Sequence, residues 1–368
     1  MDEKLFEVIL WHSRAYPRME PVDYVKLLYQ NEFGCSHLGP DPGHNLEKLK
    51  EEYDSLPVPE ESAGQGPRME SIGNGLCRIF LEPGPATEKF LPLLNLMSAA
   101  TANTHLGNRT RLLRKLELLG DMAAKGLLCV GREEMDSFLR QYAASGYGPV
   151  RHSGAYRENY GPHYRVVKAA YSFYLPVFRA VMERMHSHPG QRPEIFALDG
   201  RCGSGKSFLA GLLSEVFGCS VFHMDDFYLP PERREKEWMS QPGGNIDRER
   251  FLKEVLVPLH SGEKISYRPY SCRRGTMLPP VDVQPGGLAV VEGSYSLHTD
   301  FRACYDYRVF LTCLPNVQQQ RIFLRSGGNR LHDFLEWWIP AEERYFEAMK
   351  VKESCDLTLD TSNFETLE

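Results

Sequence analysis

The sequence predicts an α/β chain in two parts. A parallel sheet flanked by helices fills the C-terminal half, and a mostly helical region precedes it. Three observations carry this prediction. After residue 193, short apolar runs alternate with helical periodicity, the pattern of a parallel sheet covered on both faces. Before residue 186, apolar residues recur every three to four positions instead. Between the two, residues 186–193 (His-Ser-His-Pro-Gly-Gln-Arg-Pro) interrupt the helical pattern with two prolines and a glycine, as an exposed linker does. The expected division is 1–188, a helical domain of unassigned role, and 194–368.

In chain order, the first half predicts helices at 22–31, 46–53, 87–100, 110–124 and 132–144, with a loop at 60–67. A further helix is expected over 164–185, where Val166, Val167, Ala170, Phe173, Val177 and Val181 keep helical spacing; Pro176 should kink it. Three segments concentrate Gly, His, Arg and aromatic residues in expected loops: 33–39, 105–109 and 160–165. Such clusters can form ligand pockets, although single His and Tyr residues more often serve structure. The second half predicts strands at 194–199, 220–224, 288–291, 308–312 and 357–360. Helices are expected at 208–217, 248–260, 316–325 and 333–350.

Composition narrows the function. The 368 residues carry a formal net charge of −6, which argues against a dedicated nucleic-acid binder. The nine cysteines show no zinc-ligand spacing, and no signal-peptide pattern opens the chain. With no apolar run of membrane-spanning length, no membrane association and a cytoplasmic location are expected.

The chemistry begins at Gly200-Arg201-Cys202-Gly203-Ser204-Gly205-Lys206-Ser207, a full match to G-x-x-x-x-G-K-[ST] between an expected strand and an expected helix. Glycines let the backbone curl its N–H groups, and those of Ser204 and its neighbours, around a β-phosphate at a helix N-terminus. Lys206 supplies charge to the β- and γ-phosphates, and Ser207 offers a hydroxyl to Mg²⁺. Gly-rich turns also join strands to helices for packing alone, but the fixed Gly, Lys and Ser favour ATP binding. Cys202 reads as a small residue filling the turn. At the next strand end, Asp225 and Asp226 are candidates for a catalytic base and a metal contact, or for a helix cap. Glu292 ends an apolar strand, the placement that holds Mg²⁺ or its waters.

Taken together, residues 194–360 resemble the uridine kinase and phosphoribulokinase group of P-loop kinases, which includes bacterial pantothenate kinase. The matching motifs are Asp199-Gly200 with the loop, Asp225-Asp226-Phe227-Tyr228, Asn245-Ile246-Asp247-Arg248, Arg268-Pro269-Tyr270 with Arg273 and Arg274, Val291-Glu292-Gly293, Arg321-Ile322-Phe323-Leu324-Arg325, and Cys355-Asp356-Leu357. The resemblance implies a catalytic base at Asp225 and acceptor contacts from Tyr228, Asp247, Tyr270 and Arg274. It also implies a lid whose Arg321 and Arg325, four apart on one helix face, share an anion. The hairpin lacks the His that uridine kinases use, and the lid stretch 326–330 is short.

The function implied is ATP-dependent phosphorylation of a hydroxyl on a small molecule, with Mg²⁺. Uridine or cytidine is the leading acceptor because Asp247 and Tyr270 are in place; a sugar phosphate or a pantothenate-like acceptor is the alternative. A nucleotide-driven regulatory NTPase is a second class, with the helical half as its output or as a homo-oligomerising module.

Overall fold

The computed structural model describes residues 2–34, 41–57, 67–188, 190 and 192–364. The chain divides into two compact units, Met1–Leu175 and Pro176–Glu365.

In the first unit the five helices expected within 22–144 all lie inside observed ones: Pro21–Phe33, Pro42–Asp54, Pro85–Thr104, Arg109–Ala124 and Arg132–Ala144. A further helix, Asp2–Ala15, precedes them. The expected helix over 164–185 is corrected in part. Its first residues form a strand, and with two others they make an antiparallel sheet in the order β1 (Met69–Gly73), β2 (Leu76–Phe80), β3 (Tyr164–Lys168). Val166 and Val167 are β-branched and buried, and they suit a pleated surface. β1 and β2 meet through Asn74-Gly75, with φ of 55° and 71° between the paired Gly73 and Leu76. This is the two-residue turn whose twist matches a hairpin.

The core of this unit is partly polar. Arg78, 1% exposed, donates to Glu70 at 3.0 Å and to Gln30 at 2.8 Å. Tyr164 bridges Gln30 and His152, and His152 meets Asp23 at 2.8 Å. Tyr16 also donates to Glu70. Each buried charge finds partners, which offsets its desolvation. Of the three clusters suggested as pockets, most of 33–39 lies outside the described residues, as does nearly all of the loop at 60–67. The other two serve local structure. Asn108 caps the helix Arg109–Ala124 through Thr110 N–H at 2.8 Å. Gly161 closes Gly154–Tyr160 in the left-handed conformation.

The second unit opens with the helix Leu175–Ser187, which periodicity had joined to the helical half. Pro176 sits in its first turn, where a missing N–H costs no bond, so the helix starts there rather than kinking. Phe178 stacks on Phe217 at 5.8 Å, and Arg184 pairs with Glu194 at 2.9 Å.

The strands that follow are β4 (Glu194–Gly200), β5 (Ser220–His223), β6 (Ile265–Tyr267), β7 (Tyr270–Ser271), β8 (Thr276–Met277), β9 (Val281–Val283), β10 (Leu288–Glu292), β11 (Tyr307–Thr312) and β12 (Leu357–Asp360). Five of them form one parallel sheet in the order β12-β11-β4-β10-β5. β4 and β10 are buried along their whole length, which is why both read as unbroken apolar runs. The chain leaves β4 toward β5, then returns from β10 across β4 to β11. That reversal leaves a crevice bordered by the carboxyl ends of β4 and β10. One expectation fails at its rim. The strand expected to 224 ends at His223, and Met224–Phe227 form a 3₁₀ turn, so Asp225 and Asp226 do not stand on extended chain.

Candidate active site

The phosphate loop runs from the end of β4 into the helix Lys206–Phe217. Gly200 has φ of 133°, and a Cβ there would lie 1.9 Å from the Leu311 carbonyl oxygen on β11. Gly205, at φ 93°, turns the chain into the helix. Gly203 has φ of 76° and faces Gln318. Only glycine meets the first demand without displacing its surroundings, and only glycine takes the second φ without strain. Lys206 is buried and donates to the carbonyls of Gly200 at 2.6 Å and Arg201 at 3.1 Å, so its ammonium lies along the loop. Among the described residues the buried Ser204 hydroxyl has no hydrogen-bond partner, and the Ser204 carbonyl accepts from Thr361 Oγ1 at 2.9 Å.

Under the loop, Asp199 accepts from the N–H groups of Gly200 and Leu297 and from the Tyr345 hydroxyl, at 2.7, 2.9 and 2.7 Å. Complete burial outweighs these bonds and pushes its pKa up to about 6.

Ser207 and Glu292 meet across the crevice: the Ser207 hydroxyl lies 3.0 Å from both Glu292 oxygens. His223, at the end of β5, adds a contact to Glu292 Oε1 at 2.5 Å, and this raises the imidazole pKa. The sequence reading did not single out His223; its place one strand-end away from an acid was the available signal. A hydroxyl and a carboxylate are hard oxygen donors, and they fit an ion that arrives with nucleotide phosphates and keeps several waters. Among the described residues no group of three or more His, Cys, Asp or Glu could hold a metal by itself.

The two acids of the 3₁₀ turn face different surroundings. Asp225 is held above the usual carboxylate range by burial first and by Glu292 second; Lys206 and a hydrogen bond from Tyr228 oppose the shift. Its side chain nonetheless opens to solvent at the crevice mouth. Asp226 is also raised, chiefly by burial, and faces Tyr267 at 3.4 Å. Arg250 braces this turn. Its guanidinium donates to the carbonyls of Asp226 at 3.1 Å and Arg268 at 2.8 Å, and lies 4.6 Å over the Phe227 ring.

The segments expected to contact an acceptor adjoin this turn. Asp247 N–H donates to Phe227 O at 2.7 Å, and Tyr228 forms a β-bridge with Ile246. The Asp247 carboxylate pairs with Arg233 at 2.8 Å and caps the short helix Arg248–Phe251. Tyr270 is buried at the start of the β7–β8 hairpin, and Arg274 is exposed in its turn. The Cys272 thiol at the hairpin tip is raised chiefly by burial, with Arg234 lowering it and Asp225 raising it. Arg234 donates to Leu229 O at 2.9 Å and lies 5.0 Å over Trp238. Among the described residues Arg234, Arg273 and Arg274 have no carboxylate partner. Arg192, Arg201, Arg233, Arg250 and Arg308 each have one.

The expected lid pair does not converge on one point. Arg321 donates to Gly203 O at 3.3 Å, Thr361 Oγ1 at 2.9 Å, Thr361 O at 2.7 Å and Phe364 O at 2.8 Å, fastening the loop from behind. Arg325 is exposed and lies 5.6 Å over Phe334. Two residues not foreseen reach the loop instead. The Cys202 N–H donates to Glu342 at 3.0 Å, and Arg201 pairs with Glu343 at 2.8 Å.

No protein-family model matches the chain. Phosphoribulokinase of Synechocystis sp. is 25% identical over 148 residues; these are 39% of this chain and 45% of that enzyme, so the match spans less than half of the relative's length. Among solved structures, a Bacillus stearothermophilus protein described as a possible uridine kinase aligns over 50% of this chain and 96% of its own, at 22% identity and TM-score 0.39. D-glycerate 3-kinase of Cryptococcus neoformans aligns over 46% and 87%, at 17% identity and TM-score 0.36. No helix among the described residues is long and apolar enough to cross a membrane.

Proposed function

We propose that this chain, whose second unit is a P-loop kinase unit of the uridine kinase and phosphoribulokinase type, transfers the terminal phosphoryl group of ATP to a hydroxyl of a small molecule. The observation that carries this is the convergence of Lys206, Ser207, Glu292 and Asp225 on one crevice. Ser207 and Glu292 would hold Mg²⁺, which supplies charge neutralisation between the β- and γ-phosphates. Asp225 removes the acceptor's hydroxyl proton as that oxygen bonds to the γ-phosphorus and ADP leaves. Its raised pKa makes it a stronger base than a free carboxylate. Lys206 steadies the phosphates, and Tyr228 orients Asp225. Arg325, exposed at the end of its helix, is the lid arginine with freedom to reach the transferring group, while Arg321 keeps the loop in shape.

For the acceptor, Asp247 and Tyr270 support a nucleoside such as uridine or cytidine. A second reading rests on the arginines. Among the described residues Arg234, Arg273 and Arg274 have no carboxylate partner, and Arg234 and Asp225 both act electrostatically on Cys272 at the hairpin tip, which favours an acceptor bearing a phosphate or a carboxylate. The test is ADP formation with Mg-ATP across uridine, cytidine, sugar phosphates, pantothenate and other hydroxy acids. Acceptor-dependent turnover is expected. ATP consumption indifferent to every acceptor would replace the kinase with a regulatory NTPase.

A further inference from the structure

We infer that Glu342 is a specificity-determining residue of the nucleotide site: its carboxylate holds the seat of the terminal phosphate, so the site distinguishes nucleoside triphosphate from diphosphate. This rests on the phosphotransferase reading above.

Glu342 is 5% exposed, on the helix Ile339–Ala348. One carboxylate oxygen accepts the Cys202 backbone N–H at 3.0 Å, and the other accepts the Ser294 hydroxyl. Cys202 lies inside the phosphate loop, and Ser294 is two residues past Glu292. The carboxylate therefore bridges the ends of β4 and β10, the two strands that border the crevice. The next residue, Glu343, pairs with the Arg201 side chain. Two successive glutamates of one helix thus grip two successive residues of the loop.

The β-phosphate of a nucleotide is cradled deeper, by the N–H groups at the start of the helix Lys206–Phe217. A diphosphate leaves Glu342 where it is. On the phosphotransferase reading the γ-phosphate would extend from there toward Ser207, Glu292 and Asp225. Tyr228, which is hydrogen-bonded to Asp225, lies within electrostatic range of Glu342 as well. A triphosphate therefore brings a second anion against a buried carboxylate that already uses the nearest donors. The two repel strongly in so enclosed a place, and they compete for the same N–H. Binding ATP requires Glu342 to yield, and the helix that carries it begins at Ile339, after the lid stretch 326–330 and the helical segment that runs on to Trp338.

The test compares Mg²⁺ complexes of ADP and of a non-hydrolysable ATP analogue, titrated calorimetrically into the full chain and two variants. Glu342→Gln keeps the shape and removes the charge; Ser294→Ala loosens the carboxylate without touching the loop. The expected result for Glu342→Gln is an analogue affinity raised about fivefold or more, with ADP affinity unchanged. Ser294→Ala should move the analogue in the same direction by less, and it carries the test if Glu342→Gln does not fold. Equal shifts for both nucleotides, or weaker analogue binding, would overturn the role of Glu342 alone. If the unaltered chain binds neither nucleotide, the phosphotransferase reading falls and this inference with it.

Discussion

The Ser207 hydroxyl lies equidistant, at 3.0 Å, from both carboxylate oxygens of Glu292, although 85 residues separate the two in sequence. Replacing Glu292 by Gln removes the negative charge and keeps the contact. The variant should need more Mg²⁺ for half-maximal ADP formation, and its defect should shrink as Mg²⁺ rises. A defect of constant size across the Mg²⁺ titration would remove Glu292 from metal binding.

Substitutions at Asp225 and Asp226 test which of the two acids is the base. Losing a positioned general base costs about 10²–10⁴-fold in rate. Asp225→Asn should lower turnover by about that factor at saturating ATP and acceptor, with ATP affinity nearly intact. Asp226→Asn should do less, because its side chain faces Tyr267. The reverse ranking in steady-state turnover would move the base by one residue.

Arg250 is a positioning residue for that turn. Nη2 donates to both carbonyls while the planar guanidinium covers the Phe227 ring, and lysine keeps the charge but not that plane. Arg250→Lys should lower kcat more than it raises the KM for ATP. Unchanged kcat together with a lowered denaturation midpoint would make Arg250 a packing residue only.

Asp199 gives stability a definite pH dependence. Its folded pKa of about 6 exceeds the unfolded value of 3.8, so its contribution is present in full below the lower value and lost as pH rises through the upper one. Between pH 4 and 7 the unaltered chain should lose about 2 kcal/mol of unfolding free energy that Asp199→Asn does not lose. Urea titrations at several pH values measure this, and parallel pH profiles would contradict it.

In the first unit, Arg78→Met leaves the Glu70 carboxylate buried beside Tyr16 without its cation. The expected cost is about 3–5 kcal/mol, with part of it recovered on adding Glu70→Gln. Equilibrium denaturation of the single and double variants decides whether the pair acts as a unit.

Much of this architecture is legible in the sequence where local signals are strong. β4 and β10 are apolar runs because both faces are covered, and Gly200, Gly205, Lys206 and Ser207 declare the loop because few other residues could take those places. Local signals were also overlooked: Asn74-Gly75 marks the β1–β2 hairpin as plainly as any dipeptide can. Elsewhere tertiary context decides. Residues 164–168 carry a spacing compatible with a helix and become a strand because β2 offers them a partner. Asp225 and Asp226 look extended in sequence, but they fold into a 3₁₀ turn whose Asp226 carbonyl accepts from Arg250. Glu342 gave no signal, since its meaning lies in Cys202, 140 residues earlier. Arg321 read as a lid residue from its spacing with Arg325, while the structure engages it with Thr361 and Phe364.

The support that Arg321 and Thr361 give to the phosphate loop also orders events during synthesis. Thr361 donates to the carbonyl of Ser204 across 157 residues, and Arg321 closes on Gly203 through the same segment. Contacts of such separation form only after most of the intervening chain has been made. A ribosome that has finished the loop has therefore not yet made its support, and a nascent chain halted before residue 361 carries the nucleotide motif without its foundation.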